Sequence, residues 1–412
     1  MEVSTGSEVD YFEVVINLSN YTNPGGTSFP QEPQLRHSNI MPQYGSALEA
    51  AVVEVISVIL EAGIQSVVGP NFLLNFLIMT GLSQMWALIN GQQISVFLPL
   101  LSSILFPSNA AALNSVIISI ATFDMVDTNE YFDKHIFEYP EETPFNKAFE
   151  RFEYESSLII VNISIIVWTY LFFWFLCFIN GIFFCVRKTS GGRVGNYCNN
   201  KLSSYLMWGT LIRLFMESFL DIVMFSILNV HQIDWSGAFH SVTISNGFAI
   251  GYMTLFAVIA PFLFILYCRN RGIWQNMTVF GKKYGAALDD ANLEKNGPRK
   301  MILLWLFIFF VRRFGLAISA VLFPDFLVGH VLIQTLCTLI MITILLCYRI
   351  KDENKIRNLE LFNEVTLLLL TYLILVFSEY VPNSKTRHTM GYWWIGIQLF
   401  NLLVHIVYIQ YC

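Results

Sequence analysis

Three ionisable residues recur at intervals of four within one apolar stretch of this chain. Arg213, Glu217 and Asp221 therefore share one face of any helix that contains them, about 6 Å apart along its axis. Arg312 and Arg313 lie halfway along a second apolar stretch. Either arginine can meet an acid of the first stretch at similar depth if the two helices are neighbours. Charges inside a membrane are rare and costly and face the protein interior, so the pattern predicts a buried charge cluster.

The sequence leaves two interpretations of this cluster open. In the first, the charges line or gate a hydrated ion pathway, or form a voltage-sensitive element. In the second, they are structural pairs that fix the order of the helices, since buried pairs often serve specificity more than stability. Glu360 and Glu364 open a further apolar stretch, and His330 with Gln334 lies in another. Of these four residues, Glu364 joins the five above as a candidate site residue.

The composition places these groups in a membrane protein. Of the 412 residues, 55% are hydrophobic and only 13% are charged, and the mean hydropathy is +0.55. Ordinary soluble domains are less apolar and carry more charge. The net charge of -6 and the isoelectric point near 5.7 leave no basic excess for binding phosphates, which excludes nucleic acid as a partner.

Seven apolar stretches are long enough to form helices that cross a bilayer, which needs about 20 residues. They are 157–183, 203–229, 243–267, 301–323, 328–348, 361–381 and 391–411. Helices satisfy their own backbone groups, which lipid cannot do. The predicted fold is therefore an all-α, polytopic bundle of transmembrane helices.

Two further crossings are predicted upstream, which gives about nine spans in total. The stretch 47–68 is apolar but contains three glutamates, and 71–89 is shorter but uncharged. Pro99 and Pro107 then interrupt an apolar run, which favours a re-entrant or interfacial segment over a straight crossing. The chain thus divides into a polar tail at 1–45, a membrane hairpin with this segment at 46–122, an acidic loop at 123–156 and a seven-span bundle at 157–412.

Basic residues in the short connections predict the orientation. Lysine and arginine are concentrated in the connections 184–202, 268–300 and 349–358, which we expect to be cytoplasmic. The C-terminus is then cytoplasmic too. The acidic loop and the N-terminal tail are expected to be extracellular.

The N-terminal tail has features of an extracellular segment. It lacks the basic start and apolar core of a cleavable signal peptide. Residues 11–19 alternate as in a β-strand, and a single strand is not stable alone. We therefore expect either a missing partner for this strand or a chain that is the C-terminal part of a longer protein, with the tail as the remnant of a larger ectodomain. Asn17 and Asn20 begin two glycosylation sequons, which fit that location.

No motif of known catalytic or metal chemistry occurs in the sequence. There is no H-E-x-x-H zinc motif, no G-x-S-x-G nucleophile motif, no phosphate-binding loop and no clustered spacing of cysteine and histidine. The seven cysteines lie in or beside apolar stretches and are interpreted as small buried hydrophobic side chains. We therefore expect neither an enzyme nor a bound cofactor or metal.

Several short motifs, spread over residues 47–411, carry a family resemblance. They are 86–94, Leu98-Pro99-Leu100, Phe106-Pro107-Ser108-Asn109, 121–124, Arg213 to Glu217 with Asp221, Arg312-Arg313-Phe314 and 360–364. Together they resemble the C-terminal membrane region of large TRP-like surface proteins of protists. The resemblance implies a multi-pass, cation-conducting protein that is distantly similar to TRP and polycystin channels.

Three functions are compatible with these features. The preferred one is a channel or channel-like subunit in which the charge cluster gates or lines the ion path. The alternatives are a secondary transporter and a membrane-anchoring scaffold of a surface adhesion or receptor protein, in which the charges serve assembly only. The expected partners are the lipid bilayer, cations and further copies of the chain in a homo-oligomer. The expected location is the plasma or ciliary membrane.

Overall fold

The computed structural model describes most of the predicted seven-span region and part of the chain before it. The described residues are 91–101, 104–121, 144–152, 154, 156–190, 211–235, 239–269, 299–348, 350 and 354–411. The predictions outside them are the tail at 1–45 with Asn17 and Asn20, the upstream stretches 47–68 and 71–89, and most of the acidic loop. The total of nine spans and the extracellular tail therefore stay predictions.

Regular structure in the described residues is helical throughout. The helices are α1 (Ser108–Ala121), α2 (Lys147–Arg151), α3 (Ile159–Asn162), α4 (Ser164–Ser190), α5 (Leu211–His231), α6 (His240–Arg269), α7 (Arg299–Leu322), α8 (Leu327–Cys347), α9 (Asn354–Val376) and α10 (Ser384–Tyr411). Seven of them, α4 to α10, are long and apolar enough to cross a membrane. The predicted all-α fold with seven membrane-length helices is confirmed.

Two of the seven helices begin about two turns before the predicted spans. Helix α9 starts at Asn354 rather than at 361, and α10 starts at Ser384 rather than at 391. The first turns of both helices are polar, so hydropathy does not detect them. At α10 the helix start is capped, because Asn383 Oδ1 accepts a hydrogen bond of 2.9 Å from the backbone N–H of Lys385.

The predicted span 157–183 divides into two helices at Ile163, where α3 ends and α4 follows. The start of α3 is bound by a side chain of α5, since the N–H of Ile159 donates to Asn229 Oδ1 at 3.2 Å. The hydroxyl of Ser245, on α6, donates to the same oxygen at 2.7 Å. A helix start enclosed by apolar surroundings needs such partners for its N–H groups. Three helices therefore meet at one buried amide.

Helix α5 is the central helix of the bundle. It contacts α3, α6 and α7, and 83% of its membrane-length stretch is buried. Helices α7, α8, α9 and α10 contact one another in the order of the sequence, and α1 contacts α10. Helix α4 contacts α3, and only 11% of its membrane-length stretch is buried. Most of its apolar surface therefore faces outward, as a lipid-facing helix requires.

A buried segment, residues 91–101 and 104–107, lies inside the bundle. It is helical over 91–97, continues as a 3₁₀ turn at Leu98–Leu100 with Pro99 near its start, and then becomes irregular. The N–H of Leu105 donates to the carbonyl of Phe377 at 2.6 Å. The Ile104 carbonyl accepts from Arg151 Nη1 at 3.2 Å. Irregular backbone at membrane depth is tolerated where protein surrounds it and satisfies its polar groups.

The buried segment runs along α9. Helix α1, which follows it in the sequence, then turns back and lies beside the segment. At Gly91 an added Cβ would lie 3.3 Å from Asn363 Cγ, so the segment begins against the middle of α9. It ends beside the connection between α9 and α10. We name this end of the bundle, which also carries the α7–α8 connection, the Pro324 end. Helix α1 turns back because Asn114 Nδ2 donates to the carbonyl of Val96 at 2.9 Å. The assignment of a re-entrant or interfacial segment stays a prediction.

Helix α10 approaches the end of the buried segment closely at Gly391. A Cβ there would collide with Asn109 Oδ1 and lie 2.9 Å from Pro107 Cγ. The Asn109 amide also donates from Nδ2 to the carbonyl of His388 at 3.1 Å. The contact between α10 and the chain around Pro107 therefore requires a residue without a side chain.

We expect Gly391→Ala to destabilise the protein by about 1 to 3 kcal/mol, because the new methyl group overpacks this contact. Gly396→Ala is the matched control on the same helix, since an added Cβ there meets nothing within 4 Å. Thermal unfolding of the purified full chain in detergent micelles measures both. Equal unfolding temperatures for the two variants would contradict the close approach.

Candidate functional site

The described members of the predicted charge cluster are buried on three helices. Glu217 and Asp221 lie on α5, Arg312 and Arg313 on α7, and Glu364 on α9. Their exposed fractions lie between 0% and 7%. Arg213 precedes Glu217 by one turn of α5, and its side chain lies outside the described residues. The structure thus brings together five of the six residues that the sequence singles out.

The strongest interaction of the cluster joins α7 to α9. Arg312 Nη1 lies 2.5 Å from Glu364 Oε2 in a buried, charge-assisted hydrogen bond. Removing two charges from water costs several kcal/mol for each ion, so such a pair forms only when the geometry is good. The contact therefore fixes the depth of α7 relative to α9.

Arg313 connects the same region to α5. Its guanidinium carbon lies 3.6 Å from the centre of the Phe309 ring, one turn earlier on α7, in a cation–π contact. The negative charges of Glu217, Glu364 and Asp221 act favourably on Arg313, and the positive charge of Arg312 acts unfavourably. Acids on both α5 and α9 thus offset part of the cost of burying Arg313.

The charge balance of the described cluster is negative. Three carboxylates face two guanidinium groups, which leaves a formal charge of -1 before Arg213 is counted. Arg213, one turn before Glu217 on α5, brings the formal charge of all six residues to zero. Arg313 has more than one acidic neighbour, so it can change partners without new residues.

A second polar group, which sequence reasoning missed, lies beside the charge cluster. This amide network consists of Gln92, Asn363, Asn401 and His405. Gln92 Nε2 donates to Asn401 Oδ1 at 2.8 Å, and Asn401 Nδ2 donates to Asn363 Oδ1 at 3.0 Å. His405 Nε2 lies 2.6 Å from the same oxygen of Asn363 and therefore donates to it. The network connects the buried segment with α9 and α10.

The buried segment is also bonded to the helix that carries the acids. Gln93 Nε2 donates to the backbone carbonyl of Glu217 at 2.8 Å. On the other side, Gln398 Nε2 donates to Ser95 Oγ at 3.1 Å. The buried segment therefore lies between α5 and α10 and is hydrogen-bonded to both helices. The sequence does show isolated amide side chains within apolar stretches. Their positions indicate how deep in the membrane these amides lie, but they do not reveal which residues the amides bind.

The chemistry of the site is electrostatic. Within the described part of the chain, no group of three or more histidine, cysteine, aspartate or glutamate residues is arranged to hold a metal ion. His330 and Gln334, the other polar pair that the sequence places at membrane depth, lie on the buried side of α8. The interactions that the site makes are therefore ion pairs and hydrogen bonds among buried groups.

We expect Arg312→Leu to destabilise the protein by about 3 to 5 kcal/mol, because it leaves the Glu364 carboxylate buried without this cation. Replacing both partners by leucine should cost clearly less than the single change. Denaturant titration in mixed micelles measures the free energy of unfolding for each. Glu379→Gln, at an exposed position beyond α9, controls for the loss of a carboxylate. Additive effects of the two leucine substitutions would contradict the ion pair.

Comparison with protein-family models, with curated proteins and with solved structures found no match. The seven membrane-length helices make the chain a multi-pass membrane protein. The resemblance to TRP-like proteins stays a prediction.

Proposed function

We propose that this chain is a channel-like membrane protein in which the buried charge cluster of α5, α7 and α9 gates the passage of cations. The observation that supports the proposal most is the set of five ionisable side chains, almost fully buried, on three helices. Ionisable groups inside membrane helices are expensive, and many of them mark ion paths, proton relays or voltage sensors.

The cluster has the properties of a two-state element. Arg313 interacts electrostatically with Glu217, Asp221 and Glu364. A small shift of α7 can therefore replace one acidic partner of Arg313 by another, and no charge is left without a partner of opposite sign. Interfaces that have two discrete pairings convert small movements into switching. In this account, the Arg312–Glu364 pair holds α7 against α9 in the state that the structure describes.

The carboxylates of the cluster indicate the sign of the ion. Glu217, Asp221 and Glu364 are buried acids, and acidic side chains along a pore select cations over anions. Cation conduction is also what the resemblance to TRP-like proteins implies. The homo-oligomer and the plasma or ciliary membrane belong to the same proposal.

A scaffold without transport is the second candidate, and a specific observation favours it. The amide network and the Arg312–Glu364 pair together bond the buried segment, α7, α9 and α10 into one unit. Such a unit is what an anchor for a surface domain needs, because buried polar groups specify helix partners. Ion flux separates the two functions.

We expect the purified full chain in liposomes to carry a cation flux that Glu217→Gln and Asp221→Asn each lower about tenfold or more. A tenfold change corresponds to about 1.4 kcal/mol, a modest share of the interaction of a buried charge with a cation. Sodium uptake into the liposomes, followed with a trapped sodium-sensitive dye, measures the flux.

The matched control for these substitutions is Glu379→Gln, which removes a carboxylate at an exposed position and should leave the flux unchanged. Equal sodium flux in all variants would remove Glu217 and Asp221 from the path. Absence of flux in the wild-type protein, with folding still lost in Arg312→Leu, would establish the scaffold instead.

A further inference from the structure

Helix α8 carries a buried polar row that neither the charge cluster nor the amide network uses. The row consists of His330, Gln334 and Thr338, spaced four residues apart on one side of the helix, with exposed fractions of 0% or 1%. It extends about 12 Å along α8 from the first turn at the Pro324 end. Helices α7 and α9, which contact α8, enclose it.

The hydrogen bonds of Ser319 define the state of the histidine. The Ser319 hydroxyl donates to the carbonyl of Leu316 at 2.9 Å, and its oxygen lies 2.6 Å from His330 Nδ1. A hydroxyl has one hydrogen, so when Ser319 donates it to Leu316, Nδ1 is the donor in the contact with His330. In the neutral ring, His330 Nε2 is then an acceptor. It is buried and has no hydrogen-bond partner among the described residues.

The same condition recurs along the row. Gln334 Nε2 reaches the backbone carbonyl of Arg312 at 3.5 Å, but Gln334 Oε1 has no partner in the described part of the protein. Thr338 Oγ1 and Arg312 Nε are buried in the same way, again counting only described residues. Three acceptor atoms, His330 Nε2, Gln334 Oε1 and Thr338 Oγ1, thus follow one another along α8. The donor Arg312 Nε lies at the Arg312–Glu364 pair.

Physical chemistry limits what can satisfy this row. A buried polar atom without a partner costs free energy, and nearly all such atoms in proteins bind another group or an internal water. Internal waters typically make about three hydrogen bonds and occupy polar sites of this kind. Water and hydronium satisfy an acceptor-rich row by donating their O–H groups to it. Within the described residues, no group of three or more histidine, cysteine, aspartate or glutamate side chains is arranged to hold a metal ion there.

We propose that His330, Gln334 and Thr338 hold a file of internal water molecules that carries protons between the Pro324 end of α8 and the Arg312–Glu364 pair. This proposal rests on the proposed function, in which the buried charge cluster gates cations. It adds that protons are the ions that reach the cluster along this row. Each step breaks an O–H bond of one hydronium and forms an O–H bond on the next water. The side chains orient the waters and keep their own protons.

The charged and titratable groups around the end of the file come from all the neighbouring helices. Arg312 and Arg313 lie on α7 and Glu364 on α9. Cys337, on α8, interacts electrostatically with Arg312 and Glu364. A proton that arrives there meets the one carboxylate bonded to Arg312, so the file connects the Pro324 end to the contact that joins α7 and α9.

Solid-state NMR of the full chain in liposomes, with nitrogen-15 in its seven histidines, tests the hydration directly. A difference spectrum against His330→Phe assigns the ring. We expect the His330 ring to be protonated at Nδ1 and unprotonated at Nε2. Magnetisation transfer from water to this ring should be as fast as the transfer to His240, which is exposed. Transfer as slow as for His405, which is buried and bonded to Asn363, would overturn the water file.

Proton flux tests the function of the row. With a pH gradient and a trapped pH-sensitive dye, Gln334→Leu and Thr338→Val should each lower proton entry at least tenfold. Thr343→Val, at an exposed position of the same helix, should leave it unchanged. Unfolding temperatures of all variants show that folding is retained.

The outcomes separate the two proposals. Sodium flux that depends on Asp221, together with proton flux indifferent to Gln334 and Thr338, would overturn the water file and leave the cation channel standing. Proton flux that depends on the row, without any sodium flux, would support the file and overturn cation gating. Absence of both sodium flux and proton flux in the wild-type protein would overturn the cation channel and the water file.

Discussion

The structure depends on the burial of two adjacent guanidinium groups in the middle of α7. Arg312 and Arg313 are almost inaccessible to solvent and lie far from either end of their helix. Such charges are tolerated only when acids surround them. Glu364 must therefore come from α9, and Glu217 and Asp221 from α5. This one requirement sets which helices are neighbours and at what depth they meet.

The polar groups of the buried segment follow from the same constraint. A segment interrupted by Pro99 cannot satisfy its own backbone, so the surrounding helices must supply partners. Arg151 donates to the carbonyl of Ile104, and Asn114 donates to the carbonyl of Val96. The side chains of the segment bind in turn, with Gln93 donating to the carbonyl of Glu217 and Gln92 donating to Asn401. Hydrogen bonds between helices in bilayers contribute on average only about 0.6 kcal/mol each, but several of them together specify one arrangement. The segment thus ties the acids of α5 to α10.

The sequence predicted the features that depend on composition and helical spacing. Seven spans follow from hydropathy, and the face shared by Glu217 and Asp221 follows from the 3.6-residue turn. The early starts of α9 and α10 could not be predicted, because polar turns such as the one capped by Asn383 carry no hydropathy signal. The amide network escaped because isolated amides in a span do not reveal their partners, which tertiary packing decides. The burial of residues 94–101 escaped for the same reason.

The central claim is that the pairing of Arg312 with Glu364 controls the passage of ions. A charge-swap experiment tests it most directly, with sodium flux measured in liposomes for Arg312→Glu, Glu364→Arg and the two changes together. The account predicts that each single reversal alters the flux at least tenfold and that the double change restores the wild-type value, since only the pairing matters. Wild-type flux in both single variants would contradict it.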